Sequence, residues 1–115
     1  MVVGKDETVP RPTKKSEYAI KFASAGAKKG WRDLAATING PLADAWDFLT
    51  RTPTRETPTN YPLRGGLARV RRNGQTHDRW QHKPTVKGDA RIWFYVQDHT
   101  VFLEQVHTKH PNETK

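Results

Sequence analysis

The sequence predicts an α+β fold: an N-terminal strand, a two-helix hairpin, then three to four antiparallel strands forming a twisted sheet with the helices on one face. Three observations predict it. Apolar residues recur at helical spacing between about residues 25 and 51, period-two alternation brackets that stretch on both sides, and Asn73-Gly74 sits among the later strands. That dipeptide readily accepts the positive φ angles of a tight hairpin turn. A strand, then helices, then a run of strands is the order of a domain whose helices gather on one face of an antiparallel sheet.

Each element follows from local pattern. Tyr18-Ala19-Ile20-Lys21-Phe22-Ala23 alternates apolar with smaller or polar residues and predicts the first strand. Ala27, Trp31, Leu34, Ala35 and Ile38 then share one face of a helix over about residues 25–38, with Lys28, Lys29, Arg32 and Asp33 outward. Asn39-Gly40-Pro41 is expected to stop this helix and start another, because Gly ends a helix at little cost and Pro suits the first helical position. The second helix, about residues 41–51, carries Leu42, Ala45, Trp46 and Leu49 on one face and ends before Pro53.

Residues 52–62 hold three prolines and four threonines and read as a connection. Beyond them, residues 67–71 form a weak strand, Asn73-Gly74 a turn, and residues 77–83 one alternating strand. Residues 84–89 are a polar loop. Arg91 to Val96 and Thr100 to His107 form the last hairpin, turning at Gln97-Asp98-His99. Residues 1–15 combine Pro10, Pro12, Lys14 and Lys15 with almost no large apolar side chains, which predicts a flexible basic arm ahead of a single domain over residues 16–115.

Only 34% of the 115 residues are hydrophobic, but four Trp, four Phe and three Tyr concentrate the apolar surface in large side chains, enough for one modest core. Without cysteine there is no disulfide framework and no thiolate metal site. No apolar run approaches the ~20 residues of a membrane span, and the first residues lack the apolar stretch of a signal peptide, so a cytoplasmic protein without a membrane partner is expected. The net charge of +8 favours polyanions. It is uneven: from Leu63 onward there are ten Lys/Arg against five Asp/Glu, whereas residues 16–62 hold six against five.

The candidate chemistry lies in that basic half. In a strand over residues 77–83, His77, Arg79, Gln81 and Lys83 project from one face as an open polar stripe, and Asp78, Trp80 and His82 from the other. In the last hairpin Arg91, Trp93 and Tyr95 share one face and Ile92, Phe94 and Val96 the other. Arg91 close to Arg79 would set two guanidinium groups on one phosphate, each through paired hydrogen bonds, and stabilise a pentacovalent phosphorus. The competing arrangement pairs Arg91 with Glu104 across the hairpin and Arg79 with an exposed carboxylate. His107 and His110 carry imidazoles that exchange protons near neutral pH, or are ordinary surface histidines. Their His-x-x-His spacing, with no cysteine or acidic pair nearby, does not close a metal shell, and no cofactor is called for. Lys115 either reaches a scissile phosphate or frays with the terminus. Trp31 and Trp46 are expected to pack, while Trp80 and Trp93 are open between core and base-stacking roles.

On these residues the chain resembles the RelE/ParE superfamily of toxins from type II toxin–antitoxin systems. The likeness spans about residues 17–115. It rests on element order, on Tyr61-Pro62-Leu63-Arg64-Gly65 before the sheet, on Ala90-Arg91-Ile92-Trp93-Phe94-Tyr95-Val96, on Arg79-Trp80-Gln81, and on Val106-His107-Thr108-Lys109-His110-Pro111 and the closing Asn112-Glu113-Thr114-Lys115. The resemblance implies a ribosome-dependent mRNA endoribonuclease that blocks translation by promoting attack of a ribose 2′-hydroxyl on the adjacent phosphate. Its partners would be a cognate antitoxin and mRNA on the ribosome, with contacts to 16S rRNA. It implies catalytic roles for Arg79, Arg91, His107 and His110 and substrate contact by Gln81 and Lys109; the polar stripe adds His77 and Lys83 to the candidate substrate-binding residues, and the terminus adds Lys115 to the candidate catalytic ones. Lys115 stands where many members carry a catalytic tyrosine, which leaves the general base to His107 or His110. The alternatives are a non-enzymatic toxin like the members that inhibit DNA gyrase, and a basic RNA-binding module.

Overall fold

The computed structural model describes residues 9–109 and shows the expected α+β order. β1 (Ala19–Phe22) leads into α1 (Ala25–Thr37) and α2 (Asn39–Arg51). There follow β2 (Asn60–Pro62), a 3-10 turn at Gly65–Leu67, β3 (Arg69–Arg72), β4 (Gln75–Asp78), β5 (Trp80–His82), β6 (Arg91–Gln97) and β7 (Thr100–His107). Five strands form one sheet in the order β1-β7-β6-β5-β2, and β3 and β4 form a separate two-stranded ribbon. β1 lies parallel to β7, and the other pairs are antiparallel.

Ser24 starts α1. Its hydroxyl oxygen accepts from the Ala27 N–H at 3.0 Å and the hydroxyl donates to the Glu104 carbonyl at 2.9 Å, so one side chain caps the helix and ties it to β7. The break between the helices falls at Ile38 (φ −132°, ψ 51°) rather than at Asn39-Gly40-Pro41, and those three residues form the first turn of α2. Pro41 is tolerated there because the first-turn N–H groups have no intrahelical acceptor to lose.

Both helices pack on one face of the sheet. Leu34, Leu42, Ala45 and Leu49 meet Ile92, Phe94, Val101, Leu103 and Val106, with Trp31, Ile38, Phe48 and Trp80 closing the margins. α1 approaches β7 so closely at Gly30 that a Cβ there would collide with the Val106 carbonyl oxygen. Trp46, expected to pack with Trp31, is half-buried, with the Arg11 guanidinium 5.3 Å from its ring centre.

Both tight turns form as the sequence implies. Asn73 and Gly74 (φ 53° and 77°) join β3 to β4, and Asp98 and His99 (φ 49° and 65°) join β6 to β7. The strand expected over residues 77–83 is instead two strands. It breaks at Arg79, whose N–H donates to the Ala68 carbonyl and whose own carbonyl accepts from Leu63, so β4 stays with β3 while β5 enters the main sheet between β2 and β6.

The proline-rich connection contains β2, held by a buried polar knot. Asn60 donates its side-chain N–H groups to the Pro53 and Arg55 carbonyls, both at 2.9 Å, which leaves its oxygen to accept from His82 Nδ1 at 3.1 Å. Within the N-terminal arm, Arg11 donates two hydrogen bonds to Glu17, at 3.0 and 3.1 Å, and Lys14 N–H adds a third at 2.8 Å. These donors hold the Glu17 carboxyl below its ordinary range, the Arg11 contact first.

Candidate functional site

The sheet face away from the helices carries two adjoining rows of polar and aromatic side chains. The first row is set by register: Tyr61 on β2 pairs with Gln81 on β5, Gln81 with Trp93 on β6, and Trp93 with Gln105 on β7. These residues are wired together. Trp93 Nε1 donates to Gln81 Oε1 at 2.9 Å, and Gln81 Nε2 donates to the Tyr61 hydroxyl oxygen at 2.8 Å.

In the second row Arg91 pairs with His107. Continuing the β5–β6 register sets Lys83, the residue after β5, level with Arg91. Two contacts bind the rows to each other: the Lys83 ammonium stands 5.7 Å from the Tyr61 ring centre, and the His107 ring meets the Trp93 ring edge-on at 4.8 Å.

Arg91 is the unusual member. Its residue is 7% exposed, and its Nη1 donates to the Gly88 and Ala90 carbonyls at 2.8 Å each. No carboxylate pairs with it among the described residues, and its buried Nε has no acceptor there. A guanidinium kept from water without a counter-charge is costly unless something negative completes it. The alternative pairing of Arg91 with Glu104 does not occur. His107 lies at the last position of β7, and Lys109 is exposed just beyond it.

Arg79 has a different fate. It does not join Arg91 as a second open guanidinium, nor does it meet an exposed carboxylate. Its Nε donates to Glu104 Oε1 at 2.9 Å, its Nη1 to the Leu67 carbonyl at 3.4 Å, and its guanidinium lies 5.5 Å from the Trp93 ring centre. Arg72 Nη2 donates to Glu104 Oε2 at 2.7 Å. Glu104 is 3% exposed and takes both cations. It can do so because β7 has a bulge there: Trp93 pairs with Gln105 and Phe94 with Leu103, so Glu104 is the extra residue and turns away from the helices.

The same clamp fastens the β3–β4 ribbon over this face. Val70, Arg72, Gln75 and His77 point inward: Val70 is buried, Gln75 accepts from Gln97 Nε2 at 2.8 Å, and His77 stacks on Tyr95 at 4.8 Å. The anticipated open stripe is therefore mostly covered. His77, Arg79 and Gln81 do converge on the Trp93–Tyr95 side, but as packing and clamping groups, and Lys83 alone of the four reaches the rim. The ambiguous tryptophans separate as well: Trp80 stacks on Phe94 at 6.2 Å on the helix side, and Trp93 is 3% exposed, too enclosed to stack on a base.

His82, on the helix side, sits against Phe48 at 5.2 Å, and burial pushes its pKa down to about 4. It belongs to the Asn60 knot. His110 and Lys115 lie outside the described residues. Among the described residues no group of three or more His, Cys, Asp or Glu gathers as metal ligands would, and no helix is long and apolar enough to cross a membrane.

Sequence reasoning passed over Tyr61 and Glu104 as site residues. Tyr61 had a signal in its position two residues before Leu63 at the sheet's edge, but its partner Gln81 is twenty residues away, and only the register joins them. Compared with protein-family models, with curated proteins and with solved structures, the chain matches none.

Proposed function

We propose that this face binds the phosphate backbone of RNA and that the chain is a toxin acting as a ribosome-dependent mRNA endoribonuclease. The observation that carries this reading is Arg91, a buried guanidinium with no carboxylate partner among the described residues, set between Lys83 and His107 on a chain of net charge +8. A phosphodiester seated on that row would accept from the unspent guanidinium donors and lie within reach of the His107 imidazole.

Cleavage would proceed by attack of the ribose 2′-oxygen on phosphorus as its proton leaves. The bond to the 5′-oxygen breaks, and that oxygen takes up a proton, giving a 2′,3′-cyclic phosphate and a 5′-hydroxyl end. His107 handles one of these protons, with His110 as its counterpart; Lys109 and Lys115 add positive charge. Arg79 acts through Glu104 and Trp93 by holding the ribbon and the site floor. The expected setting is the cytoplasm, with an antitoxin that neutralises the protein by covering its positive face.

Expression in growing cells with mapping of transcript 5′ ends tests this. New ends within translated messages, abolished by His107→Ala together with growth arrest, are expected; growth arrest with intact messages would sink the nuclease reading. The commitment of Arg79 to Glu104 favours a second reading, a non-enzymatic inhibitor or RNA binder, since only one of the two anticipated guanidinium groups is left for a phosphate. That reading requires His107→Ala to stay toxic, with DNA damage signalling marking a gyrase target.

A further inference from the structure

We infer that the Tyr61 hydroxyl is a ligand-contacting donor of this site, aimed at a phosphate or ribose oxygen of bound RNA. The inference rests on the proposed RNA-binding role and follows from the direction of one hydrogen-bond chain. An indole N–H can only donate, so the Gln81 atom meeting Trp93 Nε1 at 2.9 Å is the amide oxygen. That leaves the Gln81 NH2 group facing Tyr61 at 2.8 Å, where the phenol oxygen must accept. A phenol that accepts from Gln81 keeps its own O–H to give away, and no acceptor takes it among the described residues.

The chain therefore runs one way, from the enclosed Trp93 through the 2%-exposed Gln81 to the half-buried Tyr61 at the rim. Gln81 is the positioning residue: it is too buried to meet a ligand, and its orientation is dictated from both ends. The Lys83 ammonium, 5.7 Å from the Tyr61 ring centre, supplies positive charge over the phenol ring. A donor on a ring that faces a cation, on the same sheet face as the buried guanidinium of Arg91 with only β5 between their strands, suits an oxygen that carries negative charge. An uncharged apolar ligand would use none of these groups.

Tyr61→Phe tests the claim, because it keeps the ring and its contact with Lys83 and deletes the hydroxyl, which is also the acceptor of the Gln81 NH2. The full chain is to be compared with Tyr61→Phe by thermal melting, by fluorescence anisotropy with a short single-stranded RNA, and by cleavage of ribosome-bound message. The expected result is a folded variant whose melting temperature falls by a few degrees, because the Gln81 NH2 loses its acceptor, with about tenfold weaker RNA affinity below the transition, as loss of one hydrogen bond to a charged oxygen implies, and cleavage reduced at least as much. Wild-type affinity in the variant overturns the inference, as does a fall in melting temperature accompanied by normal affinity below the transition. A wild-type chain that binds RNA without cutting it removes the nuclease reading alone, and the tenfold affinity criterion still decides Tyr61. A wild-type chain that binds no RNA overturns both.

Discussion

The two faces of the five-stranded sheet are built on different chemistry. Against the helices, Ile92, Phe94, Val101, Leu103 and Val106 fill the space with apolar atoms, and their burial needs only the right shape and volume. On the other face Trp93, Gln81 and Glu104, each 3% exposed or less, stay enclosed because named partners satisfy them, while Arg91, 7% exposed, is satisfied only at Nη1 among the described residues. An apolar face tolerates approximate neighbours; a polar one depends on particular donors and acceptors, and there a substitution changes orientation and charge as well as volume.

That contrast can be broken most strongly from the helix side. Phe94 is fully buried in the cluster, and Phe94→Ala should cost about 4 kcal/mol, a large share of the roughly 5–15 kcal/mol that holds a domain folded. Chemical denaturation measures it, and a loss under about 1 kcal/mol would mean that the helices do not depend on this face.

The next test concerns a titratable group buried against the helices, His82. His82 is held near pH 4, well below the ordinary 6.5, because burial disfavours its charged form. The unfolded chain therefore binds a proton that the folded chain refuses between those values, so the stabilisation is fully present above pH 6.5 and is lost as pH falls toward 4. The loss amounts to roughly 3 kcal/mol. Melting temperatures at pH 7 and pH 4.5 should diverge in the wild-type protein and converge in His82→Gln.

The smallest of the three effects sharpens the comparison on the polar face. Glu104→Gln keeps the volume and removes the charge that two arginines share, for an expected loss of about 2 kcal/mol, moderated because Arg72 can turn into water. In a double-mutant cycle with Arg79→Met the two changes should couple by about 1 kcal/mol or more. Strict additivity would show that the ribbon is held by Val70 and the His77–Tyr95 stack without the ion pair.

Legibility in the sequence follows the same division. The alternation of residues 91–96 assigned Ile92, Phe94 and Val96 to one side and Arg91, Trp93 and Tyr95 to the other, and the structure keeps that assignment. The helix pair and both tight turns were readable because they depend on spacing within a few residues. Alternation also put His77, Arg79 and Gln81 on one side, yet it gave no sign that the strand breaks at Arg79 or that a ribbon folds over the surface it makes.

The sequence by itself determined the α+β order, the helix-facing core and the basic character of the later half, since periodicity and composition are local properties. Only the tertiary structure decided which cations are committed and which are left for a ligand. Arg79 meets Glu104 across 25 residues through a bulge in β7, while Arg91, opposite His107, meets backbone carbonyls and no carboxylate among the described residues. A one-residue change in strand register or bulge position redirects such side chains, and that register is set by long-range pairing between strands.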